Sequence, residues 1–366
     1  MFLFFLLSIS VCVITILLDS ALVLLWPKKD DKIAEFSDQL PFISVLVAAR
    51  NEEKYLPCCL KSLLKVNYPA SKMEILVGND ASTDNTYRIA KEYDDKFDQV
   101  KVIDIKERWG LAKGKANVLA HLAKKAQGDL FLITDADVEV PENWIQTYLK
   151  YFDKNTGILT GMTSIKAKSA FSKLQEIDWM FALGMLKVVS ERFRPVTTMG
   201  NNMLVSREAY EATGGYESIP FSITEDFALF KAVYAKGFGV KQLFDPQINA
   251  WTQAIEDIPV LLQQRKRWMR GAIQLPIPIV FLLTAQALFF PAFLLLLIFQ
   301  IKWAFVLLSV KLGVQSLFIA KVYRRLSIKA DLFWLLAYEC YSIILSLSLM
   351  VFFVLPLKLD WKGRKY

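Results

Sequence analysis

Asp135 and Asp137 close the run "DLFLITDAD" (129–137), where two carboxylates follow a stretch apolar enough to form a buried strand. Burying a bare charge is costly unless a counter-charge or a metal meets it. On an extended backbone side chains alternate, so Asp-x-Asp sets two carboxylates on one face. Such oxygen pairs suit hard cations. Mg2+ or Mn2+ commonly takes one or two carboxylates and completes its shell with substrate phosphates. A lone Asp-x-Asp is a common spacing, and its place directly after an apolar run is what points to a ligand. A second acidic pair, Glu225 and Asp226, opens the helical pattern "SITEDFALFKAVYAKG" (222–237), with Ser222 or Thr224 near its start. Acids in a first turn also complement the helix dipole, so catalysis and capping both fit. In "DIPVLLQQRKRWMRG" (257–271), Ile258, Leu261, Leu262, Trp268 and Met269 have the spacing of an amphipathic helix at a membrane surface, where Arg and Trp are ordinary anchors.

Several other chemistries are excluded. No G-x-G-x-x-G turn follows the first strand, so the dinucleotide fingerprint is missing. "GLAKGK" (110–115) has the wrong gap for a phosphate loop and lacks its Ser or Thr. The single histidine, His121, lies in a helical stretch, which leaves neither a His-rich metal site nor a Ser-His-Asp triad.

The elements that must hold these residues are legible from pattern. "FISVLVAAR" (42–50), "EILVGND" (74–80), "VKVIDI" (100–105) and "DLFLITDAD" read as buried strands. Helical segments lie between them at 53–66, 84–96 and 112–127, with Asp84 as the expected N-cap of the second. This alternation predicts an α/β fold with a mostly parallel sheet. Ligands of such sheets bind beyond the carboxyl ends of the strands. Ala49-Arg50-Asn51, Asn79-Asp80 and Asp135-Ala136-Asp137 all fall there.

The 366 residues are 54% hydrophobic, and the apolar residues are clustered. Residues 2–26 are long enough to span a bilayer, without a basic n-region or a small-residue cleavage site, and read as a retained anchor. Further spans are expected at 276–300, 303–320 and 333–357. Lys28, Lys29 and Lys32 on one flank, and Arg265, Lys266, Arg267 and Arg270 on the other, place the intervening domain in the cytoplasm. Three crossings after that domain would leave the basic ending "WKGRKY" outside, so Pro291 or Glu339 is expected to interrupt a span. The net charge of +8 gathers at these membrane edges, and no nucleic-acid partner is expected. Four cysteines without a C-x-x-C agree with a reducing compartment. The expected organisation is an anchor at 1–27, a catalytic domain at 40–256, an interface helix at 257–272, a membrane region at 274–357 and a basic tail at 358–366.

Taken in order, Asp80, Asp135-Ala136-Asp137, Thr224-Glu225-Asp226 and Gln264-Arg265-Lys266-Arg267-Trp268 resemble the motifs of the family 2 glycosyltransferases, the last matching Q-x-x-R-W. "ISVLVAARNEE" resembles the family's opening strand and loop. "VGNDASTDNT" is similar to its V-D-D-x-S-x-D-x-T segment, and "GNNMLVSREAYEATGGY" to its acceptor-side stretch. The flanking spans and the ending W-K-G-R-x-Y resemble the bacterial membrane-bound branch near ceramide and carotenoid glucosyltransferases.

The resemblance implies a GT-A fold, Rossmann-like with a mostly parallel sheet, and inverting transfer from a nucleotide-diphosphate sugar, most often UDP-linked. Asp135 and Asp137 would meet the donor and a Mg2+ or Mn2+ ion. Asp226, beside Glu225, would be the general base. Asp80 would contact the nucleoside, with Ala49 and Glu52 nearby and Lys115 near the nucleotide. Gln264, Arg267 and Trp268 would close over diphosphate and acceptor. The sequence departs from the family at Asn79, which stands where the first aspartate of the D-D pair is expected. The expected acceptor is a lipid of the inner membrane, in which the chain would be multi-pass. A processive polysaccharide synthase is the alternative. A non-catalytic membrane scaffold is a third reading, against which the intact carboxylates argue.

Overall fold

A computed structural model describes residues 2–30, 40–354, 360–361 and 364–365. Lys32 and most of the 358–366 tail lie outside the described residues. The helices are α1 Phe2–Leu24, α2 Leu56–Leu63, α3 Thr86–Lys96, α4 Lys115–Lys125, α5 Trp144–Leu149, α6 Ala170–Arg192, α7 Arg207–Ala212, α8 Glu225–Ala235, α9 Ile258–Ala272, α10 Ile277–Phe299, α11 Ile301–Arg325 and α12 Leu332–Val354. The strands used below are β1 Ile43–Ala49, β2 Met73–Asn79, β3 Val100–Asp104, β4 Leu130–Asp135, β5 Thr156–Thr160, β6 Thr163–Lys166, β7 Asn202–Ser206, β8 Gly239–Gln242 and β9 Ala250–Gln253. Two compact units form. One holds Lys29–Ile165 and Thr197–Gln253, and the other Met1–Lys28, Lys166–Val196 and Ala254–Tyr366. Helix α6 therefore groups with the apolar helices, although the sequence segmentation put it inside 40–256.

The first unit is built on a seven-stranded sheet in the order β3-β2-β1-β4-β7-β5-β8. The four expected strands pair in parallel, and β7 alone runs antiparallel to both its neighbours. Strands covered on both faces must be apolar throughout, which is why Val45, Val47, Ile75, Val77 and Leu132 are all buried. The register lines up the carboxyl ends: Ala49 faces Asn79, Asn79 faces Asp104, and Ala48 faces Asp135. Because β7 runs the other way, with Asn202 opposite Thr134, the turn before it arrives at this same edge. Asn202 pins that turn from inside the core. Its side-chain oxygen accepts from Trp144 Nε1 and Tyr148 Oη, each at 2.8 Å, and its amide donates to the carbonyls of Met162 and Ile248. A buried amide so satisfied costs little and fixes one arrangement.

Two local expectations change. Helix α3 begins at Thr86, not at 84–85, and Asp84 Oδ1 accepts from Thr86 N at 2.9 Å from just outside the cap position. Asp135 is the last residue of β4, and Ala136 and Asp137 form a turn closed by Val138 N donating to Asp135 O at 3.1 Å. The Asp-x-Asp pair is thus half strand and half turn rather than extended.

In the second unit, α1, α10, α11 and α12 are long and apolar enough to cross a membrane. Neither expected interruption occurs. Pro291 lies inside the continuous α10, where Phe289, Phe290 and Phe293 pack with Cys12, Leu296 and Ala304. Packing on both sides of a proline holds the helix through the lost backbone bond. Glu339 lies inside α12 because its charge is met: Lys311 Nζ reaches Glu339 Oε1 at 3.0 Å, and Gln315 Nε2 donates to Glu339 Oε2 at 2.7 Å. Lys311 also donates to Gln315 Oε1 at 2.6 Å and sits over the Phe289 ring. Breaking one half of a buried pair strands the other charge, at about 3–5 kcal/mol. Glu339→Leu is therefore expected to lower the unfolding midpoint in detergent markedly, and Lys311→Met added to it should restore most of the loss. Equal midpoints for wild type and the single variant would show that the pair carries no such load.

Candidate functional site

Lys115 is the first residue of α4. Gly114 before it takes a φ of +57°, a left-handed turn that suits a residue without Cβ. From this start Lys115 Nζ reaches Asp135 Oδ1 at 2.5 Å and Glu225 Oε1 at 3.0 Å, and donates to Gly200 O at 3.3 Å. Asp135 comes from the end of β4, Glu225 and Asp226 from the first turn of α8, and Gly200 from the turn before β7. Gly200 N donates to Asp226 Oδ2 at 2.9 Å, and Phe227 N donates to Asp226 Oδ1 at 2.8 Å. The fold thus brings Lys115, Asp135, Glu225 and Asp226 to one place at the carboxyl edge. Asp137, in its turn, accepts from Thr252 Oγ1 of β9 at 3.1 Å.

The electrostatics separate the roles. Burial disfavours the Lys115 ammonium, but Asp135 and Glu225 outweigh it and hold the group protonated well above its ordinary range. Burial, and then the neighbouring Glu225, push Asp226 up to about 6, although Lys115 and the N–H groups of Gly200 and Phe227 pull the other way. A carboxylate poised there is ionised at neutral pH and still accepts a proton, which is what a general base needs. Three carboxylates around one ammonium leave an excess of negative charge at this edge, which attracts cations. Among the described residues no three His, Cys, Asp or Glu side chains group as a metal site, so at most two protein carboxylates are offered. Cys59 is buried beneath this edge with Sγ 3.6 Å from Asp135 O; burial and then Asp137 and Asp135 raise its thiol, so it is no nucleophile.

The expected nucleoside residues share the neighbouring strand ends. Ala49 is buried, and its carbonyl accepts from Asp80 N at 2.9 Å. Arg50 Nη1 donates to Asp80 O at 2.7 Å, and Glu52 is buried, its N donating to Thr86 Oγ1 at 2.7 Å. Asn51 and Ala81, which follow β1 and β2, both take left-handed backbone, with φ of 53° and 50°. Such conformations in non-glycine residues cluster at functional loops.

Gln264, Arg267 and Trp268 belong to the other unit, half-buried on α9. Leu261, Arg265 and Lys266 are buried, while Ile258 is 59% exposed. The basic residues can turn inward because they find partners: Arg265 pairs with Asp178 at 2.6 Å and Lys266 Nζ donates to Phe352 O at 3.0 Å. Arg265 also lies over the Trp268 ring, which meets Trp179 with centroids 4.5 Å apart. Sequence reasoning missed Gly200, Thr252 and Asp178. Gly200 begins the quoted "GNNMLVS" stretch, but its part is played by backbone atoms. Nothing in sequence spacing marks the other two.

The mixed sheet and its acid-lined carboxyl edge define the class of protein: a GT-A glycosyltransferase fold. A solved mannosyltransferase from Pyrobaculum calidifontis, in complex with GDP-Man and Mn2+, shares it with a TM-score of 0.59 at 18% identity, over 95% of this chain and 99% of that one. A family model described as glycosyl transferase family group 2 matches residues 130–357, and one described as glycosyl transferase family 2 matches 44–214. The chain belongs to this family and is a family 2 glycosyltransferase. A probable glycosyltransferase of Bacillus subtilis, YdaM, is 31% identical over 66% of this chain and 57% of its own length. A beta-monoglucosyldiacylglycerol synthase of Nostoc is 26% identical over 66% of this chain and 51% of its own. A poly-beta-1,6-N-acetyl-D-glucosamine synthase of Staphylococcus aureus is 28% identical over 74% and 64%. The matches thus span about half to two thirds of these relatives.

Two predictions follow from the geometry. If Asp226 must be ionised to act, glycosyl transfer rises as pH climbs through about 6 and is lost below it. A divalent cation beside Asp135 moves that limb lower, and the profile of kcat against pH checks it. A Cβ on Gly200 would stand 3.0 Å from Asp226 Cβ and 3.4 Å from both Glu225 Oε1 and Lys115 Nζ. Gly200→Ala is expected to cost up to about 100-fold in turnover by displacing the base, with the circular dichroism spectrum unchanged.

Proposed function

We propose that the protein transfers a sugar, with inversion, from a nucleotide-diphosphate sugar to a lipid acceptor in the membrane. The observation that carries the reading is the gathering of Asp135, Glu225 and Asp226 about Lys115 at the carboxyl edge of the sheet. Asp226 takes the proton of the acceptor hydroxyl as its oxygen bonds to the anomeric carbon. The bond to the diphosphate breaks on the opposite side, so one displacement inverts the centre and no covalent enzyme intermediate is needed. Glu225 keeps Lys115 in place and, by its charge, keeps Asp226 basic. Lys115 offers positive charge to the phosphates. Asp135 and Asp137 would hold a Mg2+ or Mn2+ ion, which when bound neutralises charge on the leaving diphosphate. The mannosyltransferase of the same fold was solved with Mn2+ and GDP-Man, which supports a metal and a nucleotide-sugar donor. A UDP-linked sugar is the donor we expect, with Ala49, Glu52 and Asp80 at the nucleoside. The assignment of Gln264, Arg267 and Trp268 to diphosphate and acceptor rests on the Q-x-x-R-W motif.

Four helices of spanning length, together with the likeness to a glucosyldiacylglycerol synthase, support a multi-pass place in the inner membrane and a lipid acceptor. The domain would then face the cytoplasm, where nucleotide sugars are made. The staphylococcal relative favours a second reading, processive polysaccharide synthesis. Detergent-purified protein, labelled nucleotide sugars, Mn2+ and a bacterial lipid extract distinguish the two. Label is expected in the organic phase, with at least a 100-fold loss, roughly, in Asp226→Asn. Label in a large water-soluble product would favour the synthase, and transfer undiminished in Asp226→Asn would overturn the assignment of the base.

A further inference from the structure

We propose that Asp178 is a positioning residue for the acceptor, acting through Arg265 to fix the indole of Trp268. The inference rests on the reading above that Trp268 meets the acceptor, and it adds the residue that sets that side chain. A place on α9 fixes the Trp268 Cα but leaves its χ angles to its neighbours. Arg265, one turn earlier on α9, lays its guanidinium 4.4 Å from the indole centroid. Trp179 of α6 meets the same ring with centroids 4.5 Å apart and planes inclined by 33°. Arg265 is 6% exposed, and a guanidinium so buried needs a counter-charge to stay where it is. Asp178, next to Trp179 on α6, supplies it: Arg265 Nη2 lies 2.6 Å from Asp178 Oδ2. The carboxylate is held in turn, because Tyr338 Oη of α12 donates to Asp178 Oδ1 at 3.1 Å. Each oxygen of Asp178 thus has its own donor, and the guanidinium has one place to be.

The chemistry explains why arginine stands at 265. A planar guanidinium pairs with a carboxylate along its edge and lies over an aromatic face at the same time, whereas a lysine ammonium is a point charge. Asp178 therefore does more than neutralise a buried cation. With the pair intact the guanidinium is parked on the indole. Without Asp178 the unmet cation must turn toward water or another acceptor, and the Trp268 ring loses its cover. Lys115, Asp135, Glu225 and Asp226 belong to the other unit. Loss of Asp178 is thus expected to weaken use of the acceptor and to leave nucleotide binding alone.

The test uses the full chain in detergent with Mn2+. Transfer from labelled nucleotide sugars is followed while a bacterial lipid extract is titrated as acceptor. Binding of UDP and GDP controls for the folded sheet unit. Incorporated fluorotryptophan gives a fluorine resonance for Trp268, assigned by its loss in Trp268→Phe. Asp178→Asn is expected to raise the apparent KM for the extract roughly tenfold, to leave nucleotide affinity within about twofold, and to shift the Trp268 resonance. Arg265→Met should do the same. The double variant should be no worse than the worse single one, because the two residues act in series. Tyr338→Phe, which loosens Asp178 without unpairing Arg265, should move KM in the same direction by less. A wild-type KM in Asp178→Asn would overturn the inference. So would a raised KM with an unmoved Trp268 resonance, effects that multiply in the double variant, or loss of nucleotide binding in Asp178→Asn, which would assign the residue to the fold as a whole. If wild type labels no lipid, the functional reading falls, and the Trp268 resonance alone decides whether Asp178 sets that ring.

Discussion

The ammonium of Lys115 is the interaction on which the site depends. Asp135, Glu225 and Asp226 arrive from β4 and α8, and without a cation among them their mutual repulsion would drive the carboxyl edge apart or force protons onto it. Lys115 offsets enough of that charge to keep the acids together and leaves an excess of negative charge beside Asp226, whose carboxyl stays raised above its ordinary range. The sheet supplies the geometry that makes this possible. Parallel register aligns the ends of β1, β2, β3 and β4, and the reversed β7, fixed by the buried Asn202, delivers the Gly200 turn whose carbonyl and N–H tie Lys115 to Asp226.

Much of this was legible in the sequence for a plain physical reason. Strands buried on both faces must be apolar without a break, so four apolar runs announced the parallel sheet, and the polar residues that end three of them announced its ligand edge. The residues that carry charge, Asp135, Glu225, Asp226 and Lys115, were named from motif and position, and the fold brings these four together. What was not legible depends on tertiary partners. The turn at Ala136–Asp137 replaces the extended segment because Val138 N finds Asp135 O. Helix α9 buries Arg265 and Lys266 because Asp178 and a carbonyl on α12 receive them, which no pattern of spacing within α9 reveals. Glu339 looked like a break in a span until Lys311, 28 positions earlier, supplied its counter-charge. Gly200 acts through its backbone, which sequence does not advertise.

The two units solve different solvation problems by one rule. In the sheet unit, charge is gathered at an edge where substrate can share it. In the helical unit, Lys311, Gln315 and Glu339 hydrogen-bond one another, and each of the four long helices contains a window apolar enough to cross a membrane. Ionisable groups are kept in a membrane-length helix only when met in this way. The chain therefore carries one polar cluster among its apolar helices and another, with an excess of negative charge, at the sheet edge.

The proposed role of Asp135 and Asp137 is to hold a divalent cation jointly with the phosphates of a nucleotide. Electron paramagnetic resonance of Mn2+ titrated into the purified protein, with and without a nucleoside diphosphate, tests it most directly. The account predicts weak Mn2+ binding alone, much tighter binding with the nucleotide, and loss of the tight signal in Asp137→Ala. Tight Mn2+ binding that ignores the nucleotide and survives Asp137→Ala would contradict it.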